Sequence, residues 1–240
     1  MRLDKLLARL GEASRSGCRE LLRAGRVQVN GETARSGAYP VPEGAVVTLD
    51  GKALDCRMDR YLMMNKPAGV LTATEDRRFE TVLDLLPEPM RRRGLGPVGR
   101  LDKDVTGLVL LTTDGQLAHR LIAPKWKAEK VYRARCQGRL TGADAEAFAA
   151  GLTLSDFTAL PARLNILEAG EAESLADVTL TEGKFHQVKR MFAAVGHPLL
   201  ALERTRIGCV TLDPALKAGE WRRLTEDEAE GLRELCGMDR

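Results

Sequence analysis

Residues 99–115, GRLDKDVTGLVLLTTDG, constrain the fold more than any other stretch. A polar, glycine-flanked segment, Gly99–Gly107, runs directly into the apolar run Leu108–Leu111, and Asp114-Gly115 then turns the chain. A short unbroken apolar run bounded by turn residues has the signature of a strand buried on both faces. The residues after it, with Leu117, Leu121 and Ile122 at helical spacing and Pro124 beyond, predict a helix. A loop at the mouth of such a strand is a rigidly held position for chemistry. Asp102 and Asp104 both sit in it. On residue type alone they fit paired acid–base groups, metal ligands, or plain turn residues.

Around this strand the chain alternates helix and strand signals without regular βαβ order. Tyr61–Met64, Lys130–Cys136 and Leu175–Leu180 read as strands, and Ala143–Ala150 as a helix. On the 130–136 strand Lys130, Tyr132, Ala134 and Cys136 share one face. His186–Val195 reads as a helix with Val188, Met191, Phe192 and Val195 as its apolar stripe and Gly196 as its stop. Lys189 falls at the edge of that stripe, where a cation needs water or a carboxylate. Thr225 and Glu228 form a capping box for a last helix holding Leu232 and Leu235. The expected class is α+β: a mixed, mainly antiparallel sheet flanked by helices.

The first 58 residues read as a separate unit, 1–58, ahead of a body spanning 59–240. Leu3, Leu6, Leu7 and Leu10 give one helix ended by Gly11, and Ser14 or Ser16 caps a second that stops at Gly25. Asn30-Gly31 between Arg26–Val29 and Glu32–Ala34 is a hairpin signal. Val46–Leu49 adds a strand before Asp50-Gly51, and the polar stretch 52–60 is expected as a linker. The net charge of the whole chain is only +3, but residues 1–35 hold eight Arg or Lys against four Asp or Glu. Arg15, Arg19 and Arg23 are spaced four apart and so line one helix face, with Arg26 nearby. Such a row suits a phosphate backbone. No apolar run approaches the ~20 residues of a membrane span. The five cysteines are scattered without a CxxC pair, which argues against a disulfide framework or zinc site and for a reduced, cytoplasmic setting.

RLDKLLARLGEASRSGCRELLRAGRVQVNGE resembles the small S-four type RNA-binding module. GRLDKDVTGLVLLTTDG, EKVYRA at 129–134 and GKFHQVKRMFAAVGHP at 183–198 resemble the three signature segments of pseudouridine synthases, and NKPAG at 65–69 resembles the segment that opens their catalytic domain. The similarity is strongest to the ribosomal RNA branch. The absence of a long basic tail after the last helix points within it to the small-subunit enzyme acting on uridine 516 of 16S ribosomal RNA.

The resemblance implies that Asp102 is a nucleophile, that Lys189 pairs with it and favours its ionised form, and that Tyr132 stacks on uracil. It implies that Arg100 fills the space left by a flipped base. Many relatives in other branches carry Arg where this chain has Lys189. Arg91–Arg93, Lys125, Lys127 and Lys130 are further candidates for phosphate contact. No metal or cofactor is implied, because the isomerisation is neither redox nor hydrolytic. The expected protein is a cytoplasmic monomer whose partner is 16S ribosomal RNA or a small-subunit assembly intermediate, with no membrane. The alternatives are a synthase acting on 23S ribosomal RNA, a non-catalytic RNA-binding assembly factor, and a metal-dependent phosphodiesterase using Asp102 and Asp104. The three histidines stand at no metal-ligand spacing, which disfavours the last.

Overall fold

The computed structural model describes residues 1–10, 13–42, 44–54, 56, 60–91 and 94–238. They form two compact units: Met1–Arg60 with Pro89–Gly94, and Tyr61–Glu88 with Leu95–Arg240.

In the first unit, α1 (Leu3–Leu10) and α2 (Arg15–Arg23) precede β1 (Val27–Val29), β2 (Glu32–Thr33), β3 (Val47–Leu49) and β4 (Lys52–Ala53), with sheet order β2-β1-β3-β4. Leu3, Leu6, Leu7 and Leu10 are all buried, as helical spacing requires, and pack with Cys18, Leu22, Val27 and Val47. Ser14 caps α2 by accepting from the Gly17 amide. Asn30 and Gly31 take positive φ values of 51° and 86°, the geometry of a tight hairpin turn. Gly11, expected to stop α1, lies outside the described residues. The expected linker 52–60 is corrected: Asp50 and Gly51 form a second tight turn, and Lys52–Ala53 pairs back on β3.

The second unit contains a nine-stranded sheet. Its strands are β5 (Tyr61–Lys66), β6 (Gly96–Pro97), β7 (Thr106–Thr112), β8 (Lys130–Gln137), β9 (Arg163–Ala169), β10 (Glu173–Leu180), β11 (Leu199–Ile207), β12 (Val210–Thr211) and β13 (Trp221–Arg223). The order is β13-β5-β7-β11-β8-β10-β9, with β12 beside β11 and β6 beside β7. Every pairing is antiparallel except β7 with β11. The helices are α3 (Gly115–Ile122), α4 (Gly142–Ala150), α5 (Gln187–Ala194) and α6 (Glu226–Leu235).

The central strand β7 is buried from Gly107 to Thr112, which accounts for its unbroken apolar sequence. Leu108 and Leu110 pack with Leu117 and Leu121 of α3 and Leu232 of α6. Asp114 caps α3 through the Gln116 and Leu117 amides, and the Thr225–Glu228 capping box closes α6. Three apolar residues read onto helices, among them Val195 of the expected buried stripe, are not fully covered. Ile122 and Leu235 are exposed, and on α5 Gln187 is buried while Val195 is only partly covered. Each of the three stands near the end of its helix, where the following turn no longer covers the stripe.

Candidate active site

The 101–105 loop leads into β7, and the NKPAG segment at the end of β5 holds it. Antiparallel pairing places Lys66 opposite Gly107. The fully buried Lys66 side chain donates to Val105 O at 2.8 Å, Pro67 O at 2.9 Å and Lys103 O at 3.2 Å. The Gly69 amide also donates to Lys103 O at 2.8 Å. Thr72 Oγ1 donates to Leu101 O at 3.0 Å. The loop carrying Asp102 is thereby tied at Leu101, Lys103 and Val105. Burial pushes the Lys66 amine down to about 8, against the fields of Asp104 and Asp102, which favour its charge.

Lys189 reaches the loop from the first turns of α5. Its Nζ lies 3.1 Å from Asp102 Oδ2 and donates to both Asp104 oxygens, at 2.7 and 2.9 Å. Burial lowers the Lys189 pKa, but hydrogen bonds to Asp104 and Asp102 and their charges outweigh it, and the net shift is upward. The hydrogen bond from Lys189 holds the Asp104 carboxyl below its ordinary value, against a smaller effect of burial. Asp102 is the more sheltered of the two carboxylates, with 29% of its side chain exposed against 73% for Asp104.

The turn before α5 is closed by side chains. Gln187 accepts from the Lys184 amide at 2.9 Å and donates to the buried Glu182 at 2.7 Å. His186 takes a left-handed conformation, φ 50°, which brings its Nε2 within 3.6 Å of Asp102 Oδ1. Tyr132 is supplied by β8, paired with Arg204 of β11. Arg204 is buried, donates to Leu108 O at 2.8 Å and has its guanidinium carbon 6.0 Å from the Tyr132 ring centre.

Asp102, Tyr132 and Lys189 line one cleft, and Arg100 lines it with them. His186 lines it too, although the sequence reading left it aside. Arg15, Arg19, Arg23 and Arg26 belong to the other unit. Arg19 and Arg23 are exposed, and the Arg15 side chain lies outside those described. Arg26 is also exposed, but its guanidinium is gripped by Asp50, with Nε 2.7 Å from Oδ1. Lys125 and Lys127 are exposed. Lys130 is a correction: it turns inward to donate to Ala128 O and Leu121 O, and burial lowers it to about 8, so it is not a free phosphate contact. Arg91 is exposed; Arg92 and Arg93 lie outside the described residues.

Lys66 and His186 are the participants in this geometry that sequence reasoning did not single out as site residues, and Asp104, weighed there beside Asp102, shares the Lys189 ammonium with it. NKPAG was the only available signal for Lys66. Among the described residues no three of His, Cys, Asp and Glu gather as a metal-holding group, and no helix is long and apolar enough to cross a membrane.

The RNA pseudouridylate synthase family profile matches residues 60–194, and the S4 domain profile matches residues 1–47. The chain is 45% identical over 237 residues to an uncharacterized RNA pseudouridine synthase of Bacillus subtilis (strain 168), covering 98% of this chain and 99% of the relative. It is 42% identical over 231 residues to ribosomal small subunit pseudouridine synthase A of Escherichia coli (strain K12), covering 95% and 98%. A crystal structure of a pseudouridylate synthase superposes with a TM-score of 0.68 at 36% identity, covering 97% of this chain and 99% of that one. The chain therefore belongs to the RNA pseudouridylate synthase family, with an N-terminal S4 domain.

Proposed function

We propose that the protein converts one uridine of 16S ribosomal RNA to pseudouridine, with Asp102 as nucleophile. The observation that carries this reading is the sheltered Asp102 carboxylate, 3.1 Å from the Lys189 ammonium, in the cleft that Tyr132 also lines. The 42% identity to small-subunit enzymes over nearly their full length supports the choice of ribosomal target.

In the reaction the C1′–N1 bond breaks, the uracil turns, and a C1′–C5 bond forms. N1 gains a proton and C5 loses one, so no oxidant and no net water are consumed. Asp102 supplies the electron pair for a transient bond to one of the two fragments, the cleft holds the other without a covalent link, and the bond to Asp102 breaks, returning its electron pair, before the isomerised nucleotide leaves. Lys189 orients that carboxylate and balances its charge. Tyr132 packs against the uracil. Arg100 occupies the gap that the target base leaves when it flips from its stack, at a cost of a few kcal/mol. Residues 1–58 form the RNA-binding part, with Arg15, Arg19, Arg23 and Arg26 tracking phosphates, and residues 59–240 form the catalytic part. Arg26 contributes from its pair with Asp50. The protein acts as a cytoplasmic monomer without metal or cofactor.

Loss of the C5 hydrogen gives the test. RNA labelled with tritium at uridine C5 releases it when pseudouridine forms. Release from a 16S transcript or a small-subunit assembly intermediate is the expected result. Release from 23S RNA alone would overturn the choice of target, and none from any ribosomal RNA would overturn the reading.

A further inference from the structure

Phe185 is 75% exposed, more than any other large hydrophobic residue among those described. Its ring is not loose. It stacks on the His186 imidazole, with centroids 3.8 Å apart and planes 19° from parallel. His186 in turn sits against Asp102. One face of the phenyl ring is thus braced from the cleft side, and the remainder is open to water. His186 takes a left-handed backbone conformation, φ 50°, directly after Phe185. Nearby Phe157 differs: Lys184 and Arg190 cover it at 3.9 and 4.9 Å. The Lys184 ammonium lies over Phe157 and 3.8 Å from Glu182 Oε2, which leaves the outer face of Phe185 uncovered.

We propose that the Phe185–His186 pair is a stacking platform for the nucleobase next to the uridine held in the cleft. The proposal rests on the isomerase reading above. Every base presents a flat π face, so a braced, open aromatic ring accepts a neighbour without regard to its identity. An apolar protein segment is the competing occupant, but it would find one ring instead of a groove.

The test uses the full-length protein and a 16S ribosomal RNA fragment that carries the proposed target uridine, with 2-aminopurine on its 5′ or 3′ side. Stacking quenches 2-aminopurine fluorescence. Wild-type protein should quench one of the two probes, and Phe185→Tyr and Phe185→Trp should retain the effect. Phe185→Leu keeps the apolar bulk without the π face. It should lose the quench and weaken RNA binding roughly 5- to 150-fold, the range that losing one base–aromatic stack gives, with its melting temperature unchanged. Quench and affinity unchanged in Phe185→Leu would overturn the proposal. Tritium release without quench at either position would sink the platform and leave the isomerase reading standing. Quench without tritium release would do the reverse.

Discussion

Replacing Lys66 with Met tests whether the loop that carries Asp102 is held from below. Met has similar length and no branching, so little cavity is left. Lys103 O keeps the Gly69 amide as a donor, but Pro67 O and Val105 O lose the amine that donates to them. A buried polar group left without a partner costs about 1–3 kcal/mol, so two give about 2–6 kcal/mol, reduced by the relief of no longer burying a cation. Urea unfolding at pH 7 reads that loss. Because a displacement of an ångström at a reacting group can cost on the order of a hundredfold, kcat should fall at least ~10-fold while RNA affinity changes little.

The pH dependence gives a second reading of the same variant. Lys66 titrates at about 8 in the fold, against 10.5 for a free lysine. Between those values the folded form has lost the proton and the unfolded form keeps it. The unfolded state binds more protons there, so this group makes stability rise with pH across the window, by at most about 1.4 kcal/mol per pH unit. Lys66→Met should show a shallower rise between pH 8 and 10 than wild type. Unchanged stability, unchanged kcat and an unchanged pH slope would refute the clamp.

Three further perturbations have definite expectations. Gly107 has φ 98°, and a Cβ there would stand 2.4 Å from Arg204 O, so Gly107→Ala should splay the parallel β7–β11 pairing and cost roughly 3 kcal/mol or more in urea unfolding. Thr225→Ala removes half of the capping box of α6 and should cost about 1 kcal/mol by the same measurement. Asp104→Asn weakens an exposed ion pair worth less than about 1 kcal/mol, and should leave both the fold and measurable tritium release intact, because Lys189 still faces Asp102.

The legible parts of this molecule are those whose cause is local. The apolar run Leu108–Leu111 announces a strand buried on both faces. Asn30-Gly31 announces a hairpin, and Thr225 with Glu228 a helix start. The spacing of Leu3, Leu6, Leu7 and Leu10 shows which helix face is covered. What stayed hidden depends on partners distant in sequence. Lys66 has its role only because β5–β7 register sets it opposite Gly107. Arg26 finds Asp50 across the small sheet, 24 residues on. Lys130 looks like a surface cation until burial of the β8 start turns its amine onto the end of α3. The sharing of one ammonium between Asp102 and Asp104 follows from the approach of α5, and nothing at positions 102–104 encodes it. Likewise, the left-handed turn at His186 carries no glycine to signal it.

The most direct test of the account is tritium release by Asp102→Asn, assayed beside Asp104→Asn on the same 5-tritiated uridine RNA. Asparagine keeps the size of the side chain and removes the charge and the nucleophile. Asp102→Asn should bind the RNA and release no tritium, while Asp104→Asn remains active. An active Asp102→Asn protein, or one that differs from wild type only as much as Asp104→Asn does, would contradict the assignment of Asp102 as nucleophile.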